Sequence, residues 1–233
     1  MSSVPPPPPG SYPPPPPPPP GASRAGSLPW ETEAIGLNSL VETAKLFIMA
    51  PANAWSRTPE KGDIVKPLLF SVVLGWIGII FNSVYSMFIS ASWVNMMPAQ
   101  YRRFMIPAAG GTILRMILAP VFFAIGLFIA AAVYHVCFMI VGALSSSTSG
   151  FEGTFRVVSY SGVANLAHLV PFAGGLIAAV WYFVLMVMGA VALHRTTQGK
   201  AVAGVLIPIV LCCGCVALAI AFGAAALFST FNR

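Results

Sequence analysis

The sequence predicts an all-α integral membrane protein, a bundle of five transmembrane helices preceded by a disordered, proline-rich N-terminal tail. Composition is the first observation behind this prediction: 57% of the 233 residues are apolar and only 8% are charged, against roughly 25% charged in a typical soluble chain. The second is that long apolar runs recur beyond residue 66. A soluble fold with so few charges could not cover its own surface, so lipid is expected to surround most of the chain.

The chain divides by composition into a tail, a juxtamembrane segment and a membrane domain. Residues 1–29 form the tail, with proline runs at residues 5–9 and 13–20. Because proline fixes φ and lacks an N–H, the tail is expected to be extended, either as a docking peptide for a partner or as a solvated spacer. Residues 30–65 form a cytoplasmic amphipathic segment, expected either to lie on the membrane surface or to pack against the bundle. Within it, Ser39-Leu-Val-Glu42 has the spacing of a capping box.

The membrane domain, residues 66–230, contains five predicted spans at about residues 67–91, 112–144, 157–170, 174–193 and 201–228. The third is the least apolar, and it either crosses with a polar inner face or enters the membrane and returns. The tight Pro171-Phe-Ala-Gly-Gly175 turn after it predicts a membrane hairpin with both ends on one side. Residues 145–150, which are mostly serine, are expected to form a flexible loop before the hairpin.

The distribution of basic residues favours a third crossing. With a cytoplasmic N-terminus, five spans place eight Lys and Arg residues inside and four outside, whereas four spans give six and six. The predicted topology therefore has the N-terminus in the cytoplasm and the C-terminus outside. The eight inside are Arg24, Lys45, Arg57, Lys61, Lys66, Arg156, Arg195 and Lys200, and the four outside are Arg102, Arg103, Arg115 and Arg233.

Small residues at four-residue spacing predict close helix packing in the last two spans. In the fourth span Gly175 precedes Ala179, and Gly189 lies mid-span; Gly204 has the same role in the fifth. The fifth span also carries a longer stripe: Cys213, Ala217, Ala221 and Ala225.

The sequence predicts no catalytic, cofactor-binding or metal-binding site and no nucleic-acid partner. All six acidic residues lie outside the predicted spans, so the buried carboxylate of a proton-coupled transporter or an acid–base enzyme is not expected. Gly-x-Ser-x-Gly and His-Glu-x-x-His motifs are missing. Pairing Ser161 with His168 lacks an acid to orient the histidine, and pairing His135 with His168 as haem ligands lacks a spacing signature. The basic residues are scattered in short loops and form no nucleic-acid-binding stripe.

The polar residues of the third span are the candidate functional side chains. They are Ser159, Ser161, Asn165 and His168. Polar groups inside a membrane often mark a solute pathway. This face therefore supports an alternative function, a channel or transporter of a small or lipidic solute.

The block Gly150-Phe-Glu-Gly-Thr-Phe-Arg-Val-Val-Ser-Tyr-Ser-Gly162, followed by the Pro171–Gly175 turn, Trp181, His194, Lys200-Ala201 and Pro208, resembles the Yip1 domain family. The resemblance extends from about residue 41 to the C-terminus. It implies a helical, usually five-span fold with a cytoplasmic N-terminus. The residues expected to define this fold are Phe155, Tyr160, Pro171, Gly174, Gly175 and Pro208.

Eukaryotic members of this family bind Rab-type GTPases and partner proteins of their own type in vesicle traffic. Their Asp-Leu-x-Gly-Pro and Gly-Tyr motifs correspond here to Asp63-Ile-Val-Lys-Pro67 and Ser159-Tyr160, with both glycines replaced. The resemblance therefore implies a bacterial-type member in a plasma membrane rather than in the endoplasmic reticulum or Golgi. It further implies a non-enzymatic adaptor or scaffold without a cofactor, in contact with the lipid bilayer and with protein partners, and homo-oligomerisation is left open.

Overall fold

The computed structural model describes residues 26–96 and 109–231, and in this part of the chain the secondary structure is entirely helical. The prediction of an all-α membrane fold is therefore confirmed. The predicted tail falls almost wholly outside the described residues. The elements are α1 (Pro29–Thr32), α2 (Leu37–Met49), α3 (Pro51–Arg57), α4 (Val65–Met96), α5 (Ala109–Ile140), α6 (Gly150–Ser161), the 3₁₀ helix η1 (Gly162–Leu169), α7 (Gly174–His194) and α8 (Gln198–Phe231).

Four helices are long and apolar enough to cross a membrane. They are α4, α5, α7 and α8, with candidate spans at Val65–Ser86, Met116–Ile140, Gly174–His194 and Gln198–Phe222. Large apolar side chains on these helices point away from the bundle, as Ile129 and Val210 do at 60% and 64% exposure. Such an outer surface requires hydrocarbon as its solvent, and the protein is a multi-pass membrane protein.

The predicted third span is a composite element, α6 followed directly by η1. The twelve α-helical residues and eight 3₁₀ residues together extend about 34 Å at ~1.5 and ~2.0 Å per residue. The element begins at Gly150, seven residues earlier than the predicted start at residue 157. The residues from Gly153 through Ala164 are buried, because α4, α5 and α7 pack around this part of the element.

The predicted hairpin between α6–η1 and α7 is present. Near its open ends Thr154 Oγ1 and His194 Nε2 are 3.0 Å apart. At the closed end the Gly174 N–H donates to Val170 O at 3.0 Å. A Cβ on Gly174 would lie 2.9 Å from His168 Cα, closer than side-chain atoms normally approach. Glycine at position 174 therefore permits the tight return.

Helix α4 presses on η1 from the opposite side. A Cβ on Gly78 would lie 2.8 Å from the carbonyl oxygen of Asn165, so the α4 backbone approaches η1 where it carries no side chain. The 3₁₀ segment is therefore held between two glycine contacts, Gly78 on α4 and Gly174 on α7.

The N-terminal helices pack against the bundle, which decides between the two arrangements expected for the amphipathic segment. Trp30, Phe47 and Trp55 are each at most 2% exposed. The capping box predicted at Ser39 and Glu42 is wrong, because α2 begins two residues before Ser39. The Gly36 N–H donates to Ser39 Oγ at 3.3 Å, and this hydroxyl donates back to Gly36 O and Ala34 O.

Small residues pack closely at two of the predicted places. A Cβ on Gly189 would lie 2.7 Å from the Trp55 ring, and one on Gly204 would lie 2.8 Å from Phe138 Cε1. Within the described residues, the stripe of small residues predicted in the fifth span does not pack against another helix at Cys213, Ala217 and Ala221, because these three residues are exposed. The buried side chains of α8 end at Val205, and from Leu206 to Phe222 the helix is mostly exposed. This exposure costs little because lipid tails are as apolar as the side chains.

Substitution at the closed end of the hairpin should distinguish two adjacent glycines. Gly174→Ala should lower the free energy of unfolding by about 1–3 kcal/mol, the usual cost of overpacking. Gly175→Ala is the matched control, because its Cβ would meet His168 Cε1 at an ordinary 3.9 Å. Unfolding of the detergent-solubilised variants in increasing dodecyl sulfate measures both. Equal losses in the two variants would show that the return does not depend on the close approach at Gly174.

Candidate functional site

The candidate site is the near end of the bundle, defined here as the end formed by α1–α3 and by the loops at residues 58–64, 141–149 and 195–197. The far end is the turn at residues 170–173. Loop-to-loop hydrogen bonds and the best buried ion pair are at the near end. It is the surface from which the N-terminal region extends.

A buried ion pair fastens α1 to α6. The Arg156 side chain is completely buried, its Nη1 donates to Glu31 Oε1 at 2.5 Å, and its Nη2 donates to Asp63 O at 2.9 Å. The Tyr160 hydroxyl donates to the same Glu31 oxygen at 2.5 Å, and the Tyr160 ring stacks on Phe47 of α2 with centroids 5.3 Å apart. The Glu31 carboxylate thus links α1 to α6, and its partners Arg156 and Tyr160 extend the contacts to the 58–64 loop and to α2.

This arrangement corrects two expectations from the sequence. Arg156 was counted as a cytoplasmic charge, but it lies inside α6 and out of contact with solvent. A carboxylate buried within the bundle was not expected, because none occurs in a span, yet Glu31 enters from α1 with its side chain only 9% exposed. A buried guanidinium needs a charged partner, and the N-terminal segment supplies it.

The indole of Trp30 forms a second attachment of α1. Its Nε1 donates to Lys66 O at 2.6 Å, and the Trp30 backbone N–H donates to Thr43 Oγ1 at 3.0 Å. The Lys66 ammonium in turn donates to Glu31 O at 2.7 Å. The short helix α1 is therefore fixed to both α2 and the first turn of α4.

The near-end loops are joined by Glu60. Its carboxylate accepts from Thr148 Oγ1 and from Arg195 Nη2, each at 2.6 Å, and the neighbouring Gly62 N–H donates to Glu152 at 2.7 Å. The hydrogen bond from Thr148, followed by that from Arg195, lowers the pKa of Glu60 below its ordinary value of 4.5. The stability that these hydrogen bonds to the ionised Glu60 contribute is therefore present above pH 4.5, and it is lost as the pH falls through the lowered pKa.

A chain of polar side chains crosses from the 141–149 loop to α5. Ser147 Oγ is 2.9 Å from His194 Nδ1, His194 Nε2 is 3.0 Å from Thr154 Oγ1, and that oxygen is 2.8 Å from His135 Nδ1. Buried Ser149 donates to Leu193 O at 2.9 Å. The serine-rich loop is thus held in place, in contrast to the flexible loop expected from its composition.

The structure separates the predicted polar face into two groups. Ser159 and Ser161 are fully buried, and their hydroxyls have no hydrogen-bond partner among the described residues. Asn165 and His168 line a cavity of about 570 Å³ together with Ser71. Asn165 Nδ2 also donates to Gly162 O at 2.9 Å. Sequence reasoning missed Ser71, although it lies on α4 one turn before the Gly75-Trp-Ile-Gly78 pattern of close packing.

The histidines do not form the haem-ligand pair considered from the sequence. His135 contacts Thr154 near the start of α6, whereas His168 lies near the end of η1. Within the described residues, no three His, Cys, Asp or Glu side chains are grouped so that they could hold a metal ion.

The residues expected to define the fold lie at four places. Phe155 and Tyr160 are completely buried in α6, where Phe155 packs on Phe128 at 4.6 Å between ring centroids. Pro171 opens the far-end turn, in which its carbonyl accepts from the Ala173 N–H at 2.7 Å. Gly174 and Gly175 start α7, and Pro208 lies within α8, three residues beyond buried Val205.

Removal of the Glu31 side chain should show how much the buried ion pair contributes to the free energy of unfolding. Glu31→Ala leaves Arg156 charged and without its carboxylate, and we expect a loss of about 3–5 kcal/mol in the free energy of unfolding. Trypsin cleavage after Lys45 and Arg57 should accelerate as the N-terminal helices detach. Glu33→Ala is the control, because Glu33 forms hydrogen bonds through its backbone: its N–H donates to Pro29 O at 2.8 Å and its carbonyl oxygen accepts from Lys66 Nζ at 3.4 Å. Similar behaviour of the two variants would mean that the pair does not anchor this segment.

Comparison with known protein families matches residues 45–220 to the Yip1 domain. Searches of curated proteins and of solved structures gave no significant match. The matched range begins in α2 and includes α6, η1, α7 and most of α8. It therefore contains the buried arginine, the hairpin and the glycine contacts described above. The chain belongs to the Yip1 domain family.

Proposed function

We propose that this Yip1 domain protein is a non-enzymatic membrane adaptor or scaffold that binds protein partners through its cytoplasmic N-terminal region. The observation that carries the proposal is the attachment of α1 to the bundle through Glu31 and Arg156. Leu28, just before α1, is completely buried, so the proline-rich residues 1–25 connect to a fixed point at the near end. A ligand bound to this tail would be held at a defined place on the membrane.

The outer face of α2 supports the same role. Its inner face is buried against the bundle through Leu40, Ala44 and Phe47. On the outer face Leu37 and Val41 are 73% and 39% exposed. Exposed apolar side chains beside a docking peptide are the composition expected of a protein-binding surface.

The proposal includes five crossings, with the near end cytoplasmic and the C-terminus outside. Supporting it, α6–η1 runs antiparallel to α7 over a comparable length. Removing buried Arg156 from the charge count leaves seven basic residues on the cytoplasmic side and four outside, which still follows the positive-inside rule. The replaced glycines of the eukaryotic-type motifs favour a bacterial plasma membrane.

The alternative function is a channel or transporter of a small or lipidic solute. The cavity that contains Asn165 and His168 favours it, because these two polar side chains meet in one space. Ser159 and Ser161 are outside the lining of that cavity. The two functions differ in which residues should matter, the tail for an adaptor and the cavity for transport.

Accessibility of single cysteines should test the five crossings. In a variant without native cysteines, thiols at Ser146 and Gln198 should react with a membrane-impermeant maleimide only from the cytoplasmic side, and a thiol at Ala173 only from outside. All three positions are exposed in the structure. Labelling of position 173 from the cytoplasm would instead make α6–η1 a re-entrant segment.

Crosslinking in native membranes should test the adaptor role. Replacing the prolines of residues 13–20 by a Gly-Ser spacer of equal length should remove protein partners that crosslink to the wild type, because the extended docking conformation is lost. The double variant Asn165→Leu, His168→Leu should retain them. Loss of partners in the cavity variant, with retention in the tail variant, would contradict the adaptor role and favour the alternative.

A further inference from the structure

The cavity of about 570 Å³ lies between α5 and α7, with η1 as its floor. In the described part of the chain these two helices pack on α6–η1 and on α8 and make little contact with each other. Helix α8 closes the gap only in the near half, where Gly204 meets Phe138 and Val205 is buried. From Leu206 to Phe222, α8 is mostly exposed, so among the described residues no helix covers the space between α5 and α7 there.

The cavity opens towards the hydrocarbon of the membrane. Phe122 on its rim is 67% exposed, and Gly126, one turn further along α5, is exposed as well. Both belong to a candidate membrane span, Met116–Ile140. The inner wall is mostly apolar and includes Leu127 and Ala178. An apolar space of this size that faces hydrocarbon does not remain empty, because its walls would lose their dispersion contacts, and it does not favour water.

The polar groups of the cavity are arranged along its length. His168 and Asn165 lie on η1 towards the far-end turn, next to Gly175 at the start of α7. Tyr182 lies seven residues after Gly175 on α7, which places it about 10 Å further into the cavity at ~1.5 Å per residue. Within the described residues the His168 imidazole has no hydrogen-bond partner, and the Asn165 amide uses one N–H on Gly162 and keeps a second donor. Donors near the membrane surface and apolar walls below them match a phospholipid, whose oxygens lie above its acyl chains.

We propose that this cavity is a binding site for one acyl chain of a phospholipid from the far-end leaflet. The chain lies against Leu127 and Ala178, and the ester or phosphate oxygens of the same lipid accept hydrogen bonds from His168 and Asn165. Binding selects this lipid through those hydrogen bonds, because an acyl chain gains little from leaving one hydrocarbon environment for another. The volume lies within the roughly 300–1,000 Å³ typical of ligand sites. The site is independent of the proposed adaptor role.

Photolabelling of the wild-type protein tests the site without any substitution. The protein is reconstituted in vesicles of phosphatidylethanolamine and phosphatidylglycerol that contain a trace of phosphatidylglycerol with a diazirine on one acyl chain. We expect labelled residues to cluster on α5 near Phe122 and Gly126 and on the facing part of α7. Labelling spread evenly over the exposed faces of α5 and α8 would overturn the proposal, since it would show ordinary annular lipid.

A matched pair of glycine variants tests occupancy. A Cβ on Gly126 meets no atom within 4 Å, so Gly126→Phe can project its ring into the cavity. Gly214→Phe on α8 is the control, because its Cβ also meets nothing within 4 Å and it lies outside the cavity lining. Native mass spectrometry after detergent washing should show one retained phospholipid in the wild type and in the control, and at least about tenfold less in Gly126→Phe, equivalent to 1.4 kcal/mol.

The headgroup contacts give a second comparison. The double variant Asn165→Leu, His168→Leu should lose the retained phospholipid by a similar factor, because the chain alone has no preference for the cavity. Retention by Gly126→Phe at the wild-type level, in protein with unchanged helix content, would overturn the site. Retention of free fatty acid instead of phospholipid would overturn the assignment of the ligand. Crosslinking to protein partners should be unchanged in these variants, so failure of the lipid site and failure of the adaptor role remain distinguishable.

Discussion

The arrangement of this membrane domain depends on the Arg156 guanidinium, a charge buried inside α6. An unpaired cation at this position would be strongly unfavourable, so the chain must bring a carboxylate to it. Glu31 does so from 125 residues earlier in the sequence. The N-terminal helices are therefore part of the membrane fold. Tyr160 donates to the same carboxylate and stacks on Phe47, and the ion pair is almost completely shielded from water, which strengthens its electrostatic interaction.

The composite element α6–η1 can be polar and irregular because protein surrounds most of it, with Gly153 through Ala164 buried and the cavity side of η1 left open. Backbone that departs from the α-helix is tolerated at membrane depth only where it is shielded from lipid. Here α4 and α7 approach η1 through Gly78 and Gly174, which leaves little room for hydrocarbon between them. The same close packing explains how Ser159 and Ser161 lie in the interior, although burial of their unpaired hydroxyls opposes stability.

The two ends of the bundle differ in the surface that they present. The near end joins three loops through Glu60, Thr148 and Arg195 and holds the N-terminal helices in one position. Such a fixed surface suits recognition of proteins, since little conformational entropy is lost when a partner binds. The far half leaves α5 and α7 apart and exposes an apolar cavity to the membrane, which suits recognition of lipid. The polar chain from Ser147 through His194 and Thr154 to His135 connects α5, α6 and α7 on the near side.

The sequence by itself determined the class of this protein and much of its helix order. Low charge and long apolar runs suffice for that, because they specify lipid as the solvent. The Pro171–Gly175 turn likewise predicted the hairpin, since proline and glycine act locally. Only the tertiary structure decided that Glu31 reaches Arg156 and that α8 is mostly exposed from Leu206 to Phe222. It also decided that Ser159 and Ser161 are buried while Asn165 and His168 line a cavity. Those outcomes rest on contacts between residues far apart in the chain, and in a bilayer an apolar face that meets lipid has the same composition as one that meets another helix.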